Sequence, residues 1–146
     1  MKRLLLLITL LLFSISSQAK ESIKEGKEYP IEKIREQNKM IIQMAVEEIS
    51  KKLPQKVDKY TTLVEVSDDN VTLIYSFEIN SSVKSDEAII KEDKERMKRV
   101  ITKGICQSSK RFLDAGVSLK YAYLGASSKK ELFAFTMNQK KCKELD

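Results

Sequence analysis

The sequence predicts an α+β fold of order α-β-β-α-β-β, with an antiparallel sheet covered by helices on one side and one disulfide. Three observations predict it. Segments beginning near Pro30 and Ser85 carry apolar residues at helical spacing. Each is followed by a pair of segments rich in β-branched or alternating apolar residues. Two cysteines, Cys106 and Cys142, fall after the second helix and after the last strand.

Pro30 suits a first helical turn, where its missing N–H costs nothing. From there Ile34, Ile41, Ile42, Ala45, Val46, Ile49 and Leu53 form one apolar stripe. The opposite face pairs Glu47 with Lys51 and Glu48 with Lys52 in the favourable acid-first order. Pro54 cannot continue the helix and draws Leu53 away from helical angles. Thr61 to Val66 is β-branched, and Asp68-Asp69-Asn70 supplies a turn through short side chains that satisfy local backbone groups. Val71 to Ile79 then alternates. Val71, Leu73, Tyr75, Phe77 and Ile79 point one way, and Thr72, Ser76 and Glu78 the other, as in a half-buried hairpin strand.

Ser85 with Asp86 and Glu87 marks the start of the second helix. Its stripe is Ile90, Met97, Val100 and Ile101, and it runs to Thr102 or Lys103, with Gly104 loosening or ending it before Cys106. Ser109 to Ala115 reads as a short turn that buries Phe112 and Leu113 and stops at Gly116. Val117, Leu119, Tyr121 and Tyr123 alternate again, Gly125 to Lys129 turns, and Leu132 to Met137 forms the last strand, with Phe133, Phe135 and Met137 on one face.

The N-terminus reads as an address. Lys2 and Arg3 precede an apolar run from Leu4 to Ile15, shorter than the roughly 20 residues that span a bilayer but suited to a signal peptide. Small Ser17 and Ala19 place cleavage after Ala19. The domain plan is therefore a signal peptide over 1–19, a charged, flexible lead-in over 20–29 and a single α+β domain over 30–146. The expected location is periplasmic or secreted. Losing Lys2 and Arg3 lowers the net charge from +6 to +4, a value that aids solubility without indicating nucleic acid. An even cysteine count in an exported chain favours a disulfide between Cys106 and Cys142. A metal pair or redox site would call for a histidine or a Cys-x-x-Cys motif, and neither is present.

The 146 residues contain no histidine, which removes Ser-His-Asp and Cys-His catalysis, His-based zinc sites and the usual neutral-pH base. Ser81-x-x-Lys84 and Ser127-x-x-Lys130 have the spacing of some serine hydrolases but lie in polar links with no framing helix. Asp68 and Asp69 lack the further spaced carboxylates of a calcium loop. Asn70-Val71-Thr72 and Asn80-Ser81-Ser82 fit the glycosylation sequon. The four glycines form no phosphate loop. The reading is a protein without enzymatic activity or cofactor.

The order of landmarks resembles a family. A helix ends in Lys51-Lys52-Leu53-Pro54-Gln55-Lys56-Val57-Asp58-Lys59-Tyr60 and leads into Thr61-Thr62-Leu63-Val64. Cys106, the run Phe112-Leu113-Asp114-Ala115-Gly116-Val117, Tyr121, Tyr123 and Cys142 follow. This is similar to the small disulfide-stapled pilotins of type II secretion systems, and to small exported bacterial proteins of the same layout. The resemblance implies a lipoprotein that binds a helix of its secretin and escorts it to the outer membrane. Here Ser17-Gln18-Ala19-Lys20 offers no cysteine for a lipid.

Two functional classes follow from these readings. The first is an exported binding or adaptor protein that docks a helix or strand of an envelope partner, with Tyr121, Tyr123, Phe133 and Phe135 as candidate anchors. The alternative is an inhibitor, immunity or superinfection-exclusion protein acting in the periplasm.

Overall fold

The computed structural model describes residues 30–145; the expected signal peptide and lead-in lie outside them. The elements are α1 (Ile31–Ser50), β1 (Gln55–Lys56), β2 (Thr61–Asp69), β3 (Thr72–Ile79), α2 (Asp86–Ser108), α3 (Lys110–Asp114), β4 (Ser118–Gly125), β5 (Glu131–Met137) and α4 (Gln139–Lys143). The architecture is α+β, an open five-stranded sheet of order β1-β2-β3-β4-β5 with helices on one side.

Three of the four strand pairings are antiparallel, and the central β3–β4 pairing is parallel, with Tyr75 opposite Tyr121 and Phe77 opposite Tyr123. The parallel pairing follows from the connection. The chain returns through α2 and α3 before entering β4, and such a crossover is what a parallel neighbour requires. Two small elements escape periodicity altogether: β1, a two-residue edge strand pairing Gln55 with Leu63, and α4, capped by Asn138, whose side chain accepts from the Lys141 N–H at 2.9 Å.

The sheet face under the helices holds the core. Leu73 and Phe77 of β3, Leu119 and Tyr123 of β4, and Phe133, Phe135 and Met137 of β5 are buried there. A bulge between Leu63 and Glu65 lets Leu63 and Val66 both reach this side, opposite Phe77 and Tyr75. The other face carries Glu65, Ser76, Ala122 and Ala134 in register, with Lys120–Glu131 and Lys129–Glu78 ion pairs.

Both long helices depart from their sequence stripes in an informative way. In α1, Ile42 is buried and Ala45, Val46 and Ile49 pack against the core, but Ile34 and Ile41 are exposed. In α2 the buried face is Ile89, Thr102 and Ile105, with Met97 and Ile101 half-buried; Ile90 and Val100 turn outward. The helix also passes through Gly104 to Ser108, so Cys106 lies inside it. Ser85 caps its start, accepting from the Ala88 N–H.

The disulfide Cys106–Cys142, with Cα atoms 5.5 Å apart, fastens α4 to α2. At the far end of α3, Gly116 adopts φ +90°, and the Val117 and Gly116 N–H groups bond back to the carbonyls of Phe112 and Leu113. That pairing is a Schellman stop, and the left-handed turn is why glycine occupies the position.

Candidate functional site

A shallow, wide-open apolar groove runs along one flank of α2, over β4. Its central section, about 600 Å³, is lined by Ile101, Gly104, Ile105, Gln107 and Ser108 of α2 and by Tyr121 of β4. A smaller section of about 200 Å³ continues under α1, between Ile41, Ala45 and Ile49 on one side and Tyr75 and Phe112 on the other. The Tyr121 ring lining the first section and the Tyr75 ring lining the second lie 5.1 Å apart.

Each wall has a local cause. Gly104 has no side chain, and a Cβ built there would meet nothing within 4 Å, so α2 is indented at the centre of the groove. Ile41 is 40% exposed and Phe112 is 49% exposed, so both present large apolar surface to the opening. The buried Asn38 side chain donates a 2.7 Å hydrogen bond to the Ala115 carbonyl, which ties the α1 wall to the connection behind α3. From Ile101 to Ser108 the groove follows about two turns of α2, roughly 10 Å at 1.5 Å per residue.

One helical turn before Ile101, at Met97, the surroundings become polar. A third cavity of about 580 Å³ lies among Tyr60, Ile79, Ile89 and Met97, edged by Asp58, Lys84, Asp93 and Arg96. Lys84 bridges Glu92 at 3.0 Å and Asp93 at 2.9 Å, and Arg96 holds the other Asp93 oxygen at 2.9 Å. Donation by Lys84, then by Arg96, keeps the Asp93 carboxyl below the usual aspartate range, and the same contacts raise Lys84. Asp58 is lowered chiefly by the backbone N–H of Tyr60, one of two amides it caps at 2.8 Å.

The four aromatic anchors read from the sequence separate here. Tyr121 reaches the groove. Tyr123, Phe133 and Phe135 are only 4–6% exposed and belong to the core beneath α2. They form one stack with Tyr121: Phe77 lies 5.4 Å from Tyr121 and 5.1 Å from Tyr123, and Tyr123 lies 5.3 Å from Phe133. Burial holds the Tyr75 and Tyr121 hydroxyls above the usual tyrosine range and pushes Tyr123 further still. Tyr75, Ile41 and Phe112 were not singled out from the sequence as site residues. The available signal was an excess: the α1 stripe carries adjacent Ile41 and Ile42, more apolar surface than one helix face buries.

Among the described residues no three His, Cys, Asp or Glu side chains cluster to hold a metal ion, and no helix is long and apolar enough to cross a membrane. Fold and site thus define a class, a disulfide-closed α+β domain with an open apolar groove between its two long helices. A family described as Domain of unknown function (DUF8479) matches residues 36–133, and the chain belongs to that family. No curated protein matches the sequence.

Solved structures share the fold. A Pseudomonas aeruginosa protein thought to be secreted, PA3611, superimposes with a TM-score of 0.65 at 12% identity, over 75% of this chain and 96% of its own. The pilotin EpsS of the Vibrio vulnificus type 2 secretion system gives 0.62 at 11% identity, over 75% of this chain and 96% of its own. The type II secretion pilotin AspS of Vibrio cholerae gives 0.60 at 11% identity, over 77% of this chain and 98% of its own. At these identities the likeness is one of fold.

Proposed function

We propose that this chain is an exported, non-enzymatic adaptor that seats one amphipathic helix of an envelope protein in the groove between α1 and α2. The observation that carries the reading is the open apolar groove itself, floored by Tyr75 and Tyr121 and rimmed by exposed Ile41 and Phe112. Its length along α2 suits about two helical turns, and an apolar trough bounded by helices is how amphipathic helices are usually received. A pilotin fold in two structural neighbours supports the same reading. Removal of residues 1–19 on export belongs to this proposal, as does a periplasmic location. Tyr121 is the sequence-read anchor retained for partner contact.

Photo-crosslinking in the native host tests it. A crosslinking residue at Gly104, where a side chain meets open space, is expected to capture one envelope protein. The same residue at Thr62, on the opposite sheet face, is expected to capture none. Ile101→Asp should abolish the Gly104 product, and a synthetic helix from the captured protein should bind the wild-type chain and gain helicity. Equal capture from both positions would sink the groove assignment. Capture of a toxin or an envelope enzyme whose activity then falls would instead select the inhibitor class.

A further inference from the structure

Charge on α2 is sorted along its axis. Asp86, Glu87, Glu92, Asp93 and Glu95 fall in its first half, outnumbering Lys91 and Lys94 there. From Arg96 to Leu113 the chain has no acidic side chain and carries Arg96, Lys98, Arg99, Lys103, Lys110 and Arg111. The second basic run, Lys140, Lys141 and Lys143, is distant in sequence, but the Cys106–Cys142 bond sets α4 against α2. Leu145, just past α4, shares one surface depression with Lys98, Arg99, Lys103 and Cys106.

One face therefore gathers Lys98, Arg99 and Lys103 around Leu145, all three cations exposed and none bridged to a carboxylate among the described residues, while the neighbouring α4 carries Lys140 and, close to Asp114, Lys143. Lys141 is partly spent on the Thr136 carbonyl at 2.8 Å. Glu95 lines the same depression as these cations. A second observation points the same way: Val100, at 68% exposure, and Leu145, at 58%, hold aliphatic surface in water beside these cations.

We propose that this face lays the protein on an anionic phospholipid surface. The lysine and arginine heads would meet headgroup phosphates, while Val100 and Leu145 enter the boundary between headgroups and acyl chains. The residues of the face include no aromatic ring on which nucleic-acid bases would stack. Gln107 borders both this depression and the groove, so the two surfaces share α2 as a common wall. The proposal does not depend on the identity of the groove's occupant.

Every described helix and strand and the disulfide lie within residues 30–145, so a chain starting at Lys20 keeps the whole fold. That chain, floated with phosphatidylglycerol–phosphatidylcholine vesicles at low salt, should bind. It should bind pure phosphatidylcholine far less, and raised salt should weaken the anionic binding. Lys98→Gln/Arg99→Gln/Lys103→Gln should lower partitioning on the order of 100-fold, at about five-fold per charge. Melting should be unchanged, because these side chains are exposed. Lys51→Gln/Lys52→Gln, in the turn just after α1, should change partitioning little, and Val100→Ser/Leu145→Ser should remove the binding that survives raised salt. Equal binding to both vesicle types, undiminished binding of the triple variant, or binding to duplex DNA without vesicle binding would each overturn the proposal.

Discussion

The chain runs twice through helix-plus-hairpin, and the two passes are finished differently. In the second, α2 lies on β4 and β5 and seals Tyr123, Phe133, Phe135 and Met137, with Ile89 and Ile105 buried at 3% exposure and a disulfide fastening the end. In the first, α1 lies on β2 and β3 but buries one large side chain completely, Ile42, and leaves Ile34, Ile41, Met40 and Met44 in solvent. The sheet beneath it is correspondingly thin, with Leu63 and Val66 where the second pass has phenylalanines. The second pass stabilises the domain. The first leaves the shared face uncovered beside Tyr75, and the groove is that uncovered strip.

The most severe way to break this comparison is to hollow the sealed half. Phe135→Ala removes a buried ring from the α2–β5 contact and should lower stability by about 3–5 kcal/mol. Ile41→Ala, on the groove rim, should cost well under half as much. Denaturant midpoints of the two variants, compared at equal slope, decide it. Similar losses would mean that α1 is as much a part of the core as α2.

Next in size is the disulfide. Its cysteines are 36 residues apart, so the chain-entropy model gives a stabilisation of about 4 kcal/mol. Cys106→Ser/Cys142→Ser should therefore unfold at markedly lower denaturant. Hydrogen exchange should speed first in α4 and the last turn of α2, while α1 amides keep their wild-type protection. Loss of protection in α1 at the same rate would show that the two passes unfold as one unit.

How far the sequence reaches also divides along these lines. The strands β3, β4 and β5 were legible because a period of two, read from Leu73-Tyr75-Phe77 or Phe133-Phe135-Met137, needs no knowledge of partners. The Gly116 stop and the Ser85 cap were legible because a local geometry demands those residues. The parallel β3–β4 pairing was not, since it is settled by where a 23-residue helix returns the chain. The buried face of α2 was displaced too: Ile90 and Val100 sit beside Ile89 and Ile101 in sequence, and only packing decides which of two neighbouring isoleucines or valines faces inward. The groove was the least legible feature of all. It needs Ile41, Tyr75, Gly104 and Tyr121 together, and no window of sequence contains them. Its traces were Ile41 and Phe112, apolar residues at positions where burial was expected and exposure is found.

A smaller effect tests the α1 wall. Asn38→Ala removes the one hydrogen bond from α1 to the Ala115 carbonyl and leaves that acceptor without its protein donor, at a cost of about 1–2 kcal/mol. The functional consequence should exceed the structural one. With α1 freed from the α3–β4 connection, capture of the partner from Gly104 should fall by more than melting predicts. Equal falls would mean that Asn38 only holds the fold.

The smallest expected effect lies at the polar end of the groove. Lys84, before α2, and Arg96, within it, both bond Asp93, and they hold its folded pKa below the unfolded value. A depressed carboxyl pKa stabilises the fold above the unfolded pKa of about 3.9, and that contribution disappears as pH falls through the folded value. Asp93→Asn should therefore melt slightly earlier than wild type at pH 7, by an amount worth less than about 1 kcal/mol for so exposed a network. The two proteins should converge once acid has protonated the wild-type carboxyl. A gap that persists unchanged into strong acid would assign the loss to packing around the 80–84 loop. The charge would then have no part in closing this end, and the polar boundary of the groove would rest on shape alone.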